Sequence, residues 1–286
     1  MAHPKVWLVT GASKGLGLTL VQRLLEQGYC VAATSRNKQE LIKAVDTTDH
    51  HFLPLQVDLN DEGSIQKALD ETVNLFGQID VLVNNAGYGL VGSLEELSDA
   101  EARKNFDINV FGTLNMVRKV MPYLRAQQSG HIINISSIAG FIGAFPGFGI
   151  YCATKFAVEG FTEALSAEVK SFGIHATIVS PGYFRTQFLA DSSLGVPARP
   201  IEAYKSVRET QQFHQQIMNG NQLGDPVKAA QAIIEVAASK NPPLHLFLGS
   251  DAYELAYNKI NSIKEEIEAW KSVTVSTAFD HQLEQA

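Results

Sequence analysis

The 286-residue chain contains little cysteine and little positive charge. Its two cysteines, Cys30 and Cys152, have neither the spacing of zinc ligands nor that of a redox pair. This predicts no metal site and no disulfide framework, and it favours a reducing, cytoplasmic setting. A net charge of -7 provides no large positive field for nucleic acid or anionic lipid, so neither is expected as a partner.

Long apolar runs are missing as well. The longest stretch without a charged residue, 132–154, is interrupted by serine, glycine and proline, which makes it a poor bilayer span. The N-terminal "MAHPKVWLVTG" lacks the length and flanks of a signal peptide. There are no repeats, low-complexity tracts or linkers. We therefore expect one domain over residues 1–286 and no membrane segment.

Short apolar runs alternate with longer helical patterns along the chain. Continuous apolar runs of this length are typical of strands buried on both faces, and the intervals between most of them can hold a crossover helix. The pattern predicts an α/β fold, a doubly wound parallel sheet. The predicted strands are "KVWLVT", "CVAATS", "HFLPLQ", "IDVLVN", "GHIINIS", "HATIVS" and "LHLFLG".

A glycine-rich turn, "TGASKGLG" at residues 10–17, follows the first predicted strand. Gly11, Gly15 and Gly17 allow a tight turn and a close approach of the backbone to a pyrophosphate, whose charge faces the N-terminus of the next helix. Glycine turns also occur for backbone reasons alone. Between a buried strand and an amphipathic helix, however, this one indicates a dinucleotide site.

The choice of dinucleotide depends on the end of the second strand, "ATSRN". NAD sites usually place a carboxylate there for the ribose hydroxyls. Ser35 and Arg36 instead offer a hydroxyl and a guanidinium, which suit a 2'-phosphate, and Lys14 adds a second cation. We therefore predict NADP(H). The alternative is that both cations are solvated surface charges.

Seven motifs in chain order closely resemble the short-chain dehydrogenase/reductase family, over roughly residues 5–249. They are "TGASKGLG", Asp58 in "VDLND", "NNAG" at 84–87, Asn109 in "FDINVFG", Ser137 in "INISSIAG", the pair Tyr151 and Lys155 in "YCATK", and "PGYFRT" at 181–186.

The resemblance implies a Rossmann fold and a catalytic tetrad of Asn109, Ser137, Tyr151 and Lys155. It implies that Asp58 contacts the adenine, that "NNAG" stabilises the central strand, and that Thr186 meets the nicotinamide carboxamide. The predicted cofactor-binding residues are Gly11, Ser13, Lys14, Gly15, Leu16, Gly17, Ser35, Arg36, Asp58, Leu59, Asn85, Ala86, Gly87, Tyr151, Lys155, Pro181, Gly182 and Thr186.

The chemistry of the tetrad can be argued separately. Reduction of a carbonyl needs a proton at the developing alkoxide, and Tyr151 is the expected donor. Lys155, one helical turn further on, is expected to lower the tyrosine pKa, and Ser137 to hold the carbonyl oxygen. Asn109 is expected to anchor a water that links Lys155 to solvent. Ser136 is a weaker alternative for the serine, because the interval to Tyr151 is one residue longer than usual in the family.

The substrate class is predicted from a segment at about 182–220, interpreted as a helical lid. Aromatic residues on the preceding loop, Phe141, Phe145 and Phe148, could form the opposite wall of an apolar pocket. Packing of the lid onto the body is the alternative role for these side chains. The apolar lid residues are Tyr183, Phe184, Phe188, Leu189, Leu194, Val196, Tyr204 and Phe213.

The C-terminal part departs from many family members. In place of a short strand ending in Gly-Gly, a predicted helix at about 250–271 carries Leu255, Ile260, Ile263 and Ile267 on one side. This puts a tetramer in doubt. It is similar to the family branch that contains steroid and retinoid dehydrogenases.

The sequence thus predicts an NADP(H)-dependent ketoreductase (carbonyl reductase) or alcohol dehydrogenase with a hydrophobic carbonyl or alcohol substrate. The alternatives are a hydroxysteroid or retinoid dehydrogenase and, as a non-enzyme, an NADP(H)-sensing regulator. The intact tetrad argues against the sensor. The resemblance also implies a homodimer or higher homo-oligomer through the helices at 99–125 and 151–172.

Overall fold

The structure, a computed structural model, describes residues 4–279 and is built on a parallel sheet of seven strands. Residues 1–3 and 280–286 of the expected domain lie outside the described part. All seven predicted strands are present, and their order, β3-β2-β1-β4-β6-β7-β9, confirms the doubly wound sheet. The strands are β1 Val6–Val9, β2 Cys30–Ser35, β3 Phe52–Gln56, β4 Val81–Asn84, β5 Gly89–Leu90, β6 Gly130–Ile135, β7 Ile174–Pro181, β8 Leu194–Gly195 and β9 His245–Leu248.

Helices cover both faces of this sheet. Asp225 caps α9, where its side chain accepts from the amide of Val227, and Pro226 stands at the first helical position. The helices are α1 Gly15–Glu26, α2 Lys38–Val45, α3 Glu62–Phe76, α4 Asp99–Phe106, α5 Gly112–Gln127, α6 Ile138–Phe141, α7 Gly149–Val169, α8 Lys205–Gln212, α9 Pro226–Ala238, α10 Ser250–Ala269 and α11 Lys271–Val275.

The alternation of side chains along β1 shows how the sheet divides two hydrophobic layers. Trp7 and Val9 pack with α1 and α9 on one face, whereas Leu8 packs with α3 and α5 on the other. All three side chains are buried. A strand buried on both faces has no polar positions, which is why these strands read as continuous apolar runs.

The strand order reverses beside β1, which pairs with β2 on one side and β4 on the other. The carboxyl ends of these strands therefore open a crevice, the usual position of a ligand in such a sheet. The glycine turn that follows β1 lies at this crevice. The fold thus brings together residues that are far apart in sequence.

The lid is attached to the body by a second, two-stranded sheet that the sequence does not predict. Strand β5 lies just after β4 and pairs in parallel with β8, near the start of the lid. Each strand has only two residues, too few for an apolar period to show. A π-helical turn, Phe213–Met218, continues α8 within the lid.

The C-terminal helix is present as α10, with Ala252 and Ala256 buried against the body. Further along this helix, Ile260, Ile263 and Ile267, which the sequence places on one side, are exposed to solvent. Within residues 4–279, none of the helices combines the length and apolar character that a bilayer span needs.

Candidate active site

Two glycines let the turn after β1 lie against the end of β4. Gly11 has a positive φ of 65°, and a Cβ at this position would lie 2.7 Å from the Cα of Ala86. A Cβ on Gly17 would lie 2.4 Å from Asn85 Nδ2. Any side chain at either position would push the turn away from the crevice. Asn85 completes the junction, because its Nδ2 donates to the carbonyls of Thr10 and Gly11, each at 3.0 Å.

The N-terminus of α1 is open to an anionic ligand. In the described chain no side chain caps this helix, and its first turn holds no acidic residue. By contrast, Asn37 caps α2, Asp61 caps α3 and Ser98 caps α4. The free amides and the helix dipole of α1 therefore face the crevice, which fits the pyrophosphate of a dinucleotide.

Positive charge lies beside this helix end. Arg36, at the end of β2, is exposed, and after burial its charge is the main factor that lowers the pKa of Lys14. Lys14 Nζ donates to the carbonyl of Ser192 at 3.0 Å, so the cation also contacts the lid. Ser35 Oγ accepts from the amide of Asn37 at 3.2 Å. No carboxylate follows β2 at this position.

The other predicted cofactor residues divide into two groups. Asp58 is exposed after β3 and its Oδ1 accepts from the amide of Asn60 at 2.9 Å, while Leu59 is buried. These two residues, with Ser13, Gly17, Ser35 and Arg36, lie outside the central cavity. The predicted residues that line the cavity are Gly11, Lys14, Gly15, Leu16, Asn85, Ala86, Gly87, Tyr151, Lys155, Pro181, Gly182 and Thr186.

Helix α7 carries Tyr151 and Lys155 on one face, as the four-residue spacing predicts. Both side chains are buried and line the same cavity. Lys155 Nζ lies 5.9 Å from the centre of the Tyr151 ring and donates to the carbonyl of Ile135 at 2.9 Å. The ammonium is therefore held between the tyrosine and the end of β6.

Ser137 and Ser136 have different surroundings. Ser137 caps the short helix α6, where its Oγ accepts from the amide of Ala139 at 3.1 Å, so its hydroxyl proton is free to be donated. Ser136 is buried and donates to Glu159 Oε1 at 2.9 Å. Only Ser137 is placed to hydrogen-bond Tyr151, and this interaction acts to lower the tyrosine pKa. The geometry favours Ser137 over the alternative Ser136.

The main influence on the Tyr151 pKa is not the one expected from the sequence, which was the neighbouring Lys155. Burial dominates and raises the pKa of Tyr151, and the group that opposes this effect is Ser137, not Lys155. Burial also lowers the pKa of Lys155 to about 8, although the charge of Glu159 acts in the opposite direction. Desolvation penalises the charged form of each group, and one sequence spacing cannot reveal it.

Asn109 lies in a π-helical turn, Asp107–Phe111, between α4 and α5. Its Oδ1 accepts from the amide of Tyr88 at 3.1 Å, and its Nδ2 donates to the carbonyl of Tyr88 and to Thr154 Oγ1, both at 3.1 Å. Thr154 lies on α7 beside Lys155. The side chain of Asn109 thus joins α7 to the loop after β4, and the predicted water link to Lys155 stays a prediction.

Aromatic groups wall the cavity, which has a volume of about 210 Å³. Phe145 and Phe148 line it as expected, but the expectation for Phe141 is wrong. Phe141 packs instead on Phe247 of β9, with ring centres 5.2 Å apart, because α6 turns it toward α10. The predicted lid residues that line the cavity are Tyr183, Phe184, Phe188 and Leu189.

The remaining four apolar lid residues have other positions. Leu194 is buried in a core cluster with Phe148, and Tyr204 bonds Glu95. Val196 and Phe213 are exposed. Sequence reasoning missed four polar cavity residues, Gln187, Ser193, His214 and Gln222, because isolated polar residues in the lid segment carry no periodic signal.

Comparison with known proteins agrees with this geometry. The family model described as short chain dehydrogenase matches residues 5–195, which is more than half of the chain. This chain belongs to the short-chain dehydrogenase family.

Two relatives in this family cover most of the chain. A 3-ketodihydrosphingosine reductase of Bacteroides thetaiotaomicron is 38% identical over 249 residues, 86% of this chain and 88% of its own. Human retinol dehydrogenase 8 is 34% identical over 255 residues, 85% of this chain and 81% of its own. Both names describe oxidoreductases acting on C=O or CH-OH groups.

Solved structures of family members share the fold. A short-chain dehydrogenase from Streptomyces avermitilis superposes with a TM-score of 0.88 at 35% identity, covering 98% of this chain and all of its own. The NADP-bound structure of ElxO superposes with a TM-score of 0.71 at 26% identity, covering 88% of this chain and 99% of its own. This chain is thus an oxidoreductase of the family, and its structural neighbour ElxO binds NADP.

Proposed function

We propose that this family member is an NADP(H)-dependent oxidoreductase that interconverts a hydrophobic ketone or aldehyde and the corresponding alcohol. The observation that carries the proposal is the shared cavity. Ser137, Tyr151 and Lys155 line the same aromatic-walled space as the glycine turn at the open end of α1. The cavity therefore combines a proton donor, a hydroxyl that can bind the carbonyl oxygen and a dinucleotide-binding turn. All three surround the space in which the reacting carbon would lie.

Tyr151 is the proton donor in this proposal. Burial raises its pKa, so the phenol keeps its proton at neutral pH and can give it to an alkoxide formed beside it. The free hydroxyl proton of Ser137 points to the same role as a hydrogen-bond donor to the substrate oxygen. In alcohol oxidation the same groups accept the proton.

Lys155 orders the other side of the reacting centre. Its ammonium is fixed by the carbonyl of Ile135 and stands beside the Tyr151 ring, where it stabilises negative charge on the phenol oxygen as the proton leaves. When bound, the nicotinamide of the cofactor supplies the hydride for reduction or accepts it in oxidation. Gly11, Gly15 and the α1 amides would hold its pyrophosphate.

The preference for NADP(H) is supported by charge. Arg36 follows β2 and Lys14 lies near it, so both cations would pair with a 2'-phosphate, and Ser35 offers a hydroxyl at the end of the same strand. A family member with NADP bound, ElxO, has a similar fold. Arg36→Ala should weaken NADPH binding by about tenfold or more while leaving NADH binding unchanged, because a charge-assisted hydrogen bond is lost. Equal effects on both cofactors in a fluorescence titration would contradict this preference.

The apolar walls support a hydrophobic substrate. Phe145, Phe148 and Phe188 line the cavity. Among the described lining residues, the basic side chains are Lys14, Lys155 and His214, and burial lowers the pKa of His214, which favours its neutral form. A retinoid or hydroxysteroid substrate is the second candidate, favoured by the similarity to retinol dehydrogenase 8. A keto-lipid is in line with the name of the bacterial reductase.

The first experiment follows NADPH oxidation by absorbance against aryl ketones, aliphatic ketones, aldehydes, ketosteroids and retinal, with NADH in parallel. We expect one carbonyl class to turn over, and Tyr151→Phe to lower kcat by about a hundredfold or more because the proton donor is lost. NADPH binding to the variant is the control for folding.

One result would favour a nucleotide-sensing role over an enzyme. The catalytic proposal fails if NADPH binds but no carbonyl or alcohol in the panel reacts, and Tyr151→Phe binds NADPH as the wild type does. If Tyr151→Phe turned over a substrate as fast as the wild type, Tyr151 would not be the proton donor.

A further inference from the structure

Among the polar groups of the cavity that the proposed reaction does not use, one has an unpaired hydrogen-bond donor. Gln222 lines the cavity with only 1% of its surface exposed, and its Nε2 has no hydrogen-bond partner among the described residues. Buried side-chain donors are nearly always paired, with protein, water or a ligand. An unpaired donor on a residue that lines a substrate cavity therefore indicates a place where a ligand atom completes the bond.

The orientation of this amide is fixed by its neighbours. Gln222 Oε1 accepts from the amide of Gly220 at 2.9 Å, so exchanging the two ends of the amide would bring two donors together. Its main-chain carbonyl accepts from Arg185 Nε at 3.1 Å. The amide of Gly224 donates to the carbonyl of Tyr183 at 3.0 Å, which ties the segment to the end of β7. The free NH₂ group is therefore preorganised.

A second polar pair lines the same cavity. His214 Nδ1 lies 2.7 Å from the carbonyl of Thr210, which can only accept, so this nitrogen carries the proton. Nε2 then accepts from the Tyr183 hydroxyl at 2.8 Å, and burial lowers the pKa of His214, which keeps the ring neutral. The pair satisfies its own hydrogen bonds and adds no charge. By contrast, Gln222 Nε2 has no partner among the described residues.

The arrangement of rings separates this region from the reacting centre. The Phe148 ring contacts both Tyr151, with centres 6.1 Å apart, and His214, with centres 4.9 Å apart. A ligand that reaches from Tyr151 toward the lid must pass along this apolar wall. Its atoms near the centre of the cavity are therefore apolar.

We propose that Gln222 donates a hydrogen bond to a second oxygen of the substrate, remote from the reacting carbonyl. The inference rests on the proposed function and narrows its substrate class. The preferred substrate is a hydrophobic ketone or aldehyde with a distal hydroxyl, keto or amide oxygen. Plain hydrocarbon ketones leave the buried donor unpaired and are turned over less well, by about tenfold to a hundredfold in kcat/KM.

The test compares a homologous series of methyl ketones with the same ketones carrying a terminal hydroxyl. For the wild type with NADPH, kcat/KM should favour the hydroxylated member at the chain length that reaches Gln222. Gln222→Met, which keeps the length of the side chain without the donor, should remove this preference, chiefly by lowering kcat/KM for the hydroxylated ketones. Gln216→Leu, on the exposed side of the lid, is the matched control and should retain the preference.

Two results would overturn the assignment. One is a wild type that shows no preference at any chain length. The other is a Gln222→Met variant that loses activity equally toward both series, which would mean that the glutamine only supports the lid. Gln222→Glu, which keeps the acceptor for Gly220, serves as the second variant and should also lose the preference.

Failure of the proposed function can be distinguished from failure of this inference by a binding measurement. If no ketone reacts, calorimetric titration of both series into the protein with NADPH bound still decides the inference. Tighter binding of the hydroxylated ketones that Gln222→Met abolishes supports it, and equal binding of both series overturns it.

Discussion

Lys155 carries its charge inside the site, which makes activity depend on pH. Burial lowers its pKa to about 8, so the group is an ammonium below that pH and is neutral above it. In the proposed reaction the ammonium stabilises the charge left on the Tyr151 phenol oxygen when the proton leaves, so carbonyl reduction should fall as pH rises through about 8. The measurement is a pH profile of kcat/KM with saturating NADPH.

Glu159 provides the control for this profile. Its charge acts to raise the pKa of Lys155, and its Oε1 accepts from Ser136 and Ser180, each at 2.9 Å. Glu159→Gln should therefore move the falling limb to lower pH. A limb that stays in place in this variant would show that Lys155 does not set it.

Asp46 is strained at the end of α2. It adopts the left-handed conformation, with φ of 50° and ψ of 56°, and it places a negative charge at a helix C-terminus. Glycine adopts this conformation without a steric cost, so Asp46→Gly should raise the free energy of unfolding by about 0.5–1 kcal/mol. Thermal unfolding measures the change. Asp46→Asn, which removes the charge and keeps the size of the side chain, should give less; an equal gain in both variants would rule out relief of backbone strain.

At the scale of elements, one ion pair holds the lid helix α8 to the body. Arg208 of α8 pairs with Glu96, whose side chain is fully buried and also accepts from Ser93 Oγ at 3.2 Å. Arg208→Met would leave a buried carboxylate unpaired, which costs about 3–5 kcal/mol and should detach the lid. We expect a higher KM for the carbonyl substrate, faster proteolysis of the lid and an unchanged Kd for NADPH.

The double variant Glu96→Gln with Arg208→Met distinguishes charge burial from loss of contacts. It removes both charges, so the lid should regain much of its protection from proteolysis. If the double variant is as sensitive as Arg208→Met alone, packing of the arginine chain and not its charge holds α8.

The elements also show which structural features a sequence reveals. Buried parallel strands such as β1 and β4 are continuous apolar runs, and caps such as Asp225 have a local chemical cause, so both were predictable. The pairing of β5 with β8 depends on where the lid folds back, which no local pattern encodes. The packing of Phe141 toward α10 likewise depends on tertiary structure, which no local sequence pattern encodes.

At the scale of the molecule, the site was predictable where its residues lie on regular elements. The spacing of Tyr151 and Lys155 places both on one face of α7, and the glycine turn follows from its position after β1. The contribution of the lid was not predictable, because Gln222 acquires its role only from burial against residues distant in sequence. Burial also decides the pKa of Tyr151, which the spacing alone assigns to Lys155.

Assembly of the molecule is the remaining expectation at this scale. A dimer through the helices at 99–125 and 151–172 would cover Phe111, which is 51% exposed in the turn between α4 and α5. Phe111→Asp should then give a monomer in sedimentation velocity at micromolar concentration, since an unpaired charge in an apolar interface opposes association. Leu75→Asp, at a residue 55% exposed on α3, should leave the dimer intact. A wild type that sediments only as a monomer would contradict the expectation, and dissociation by both variants would place the interface elsewhere.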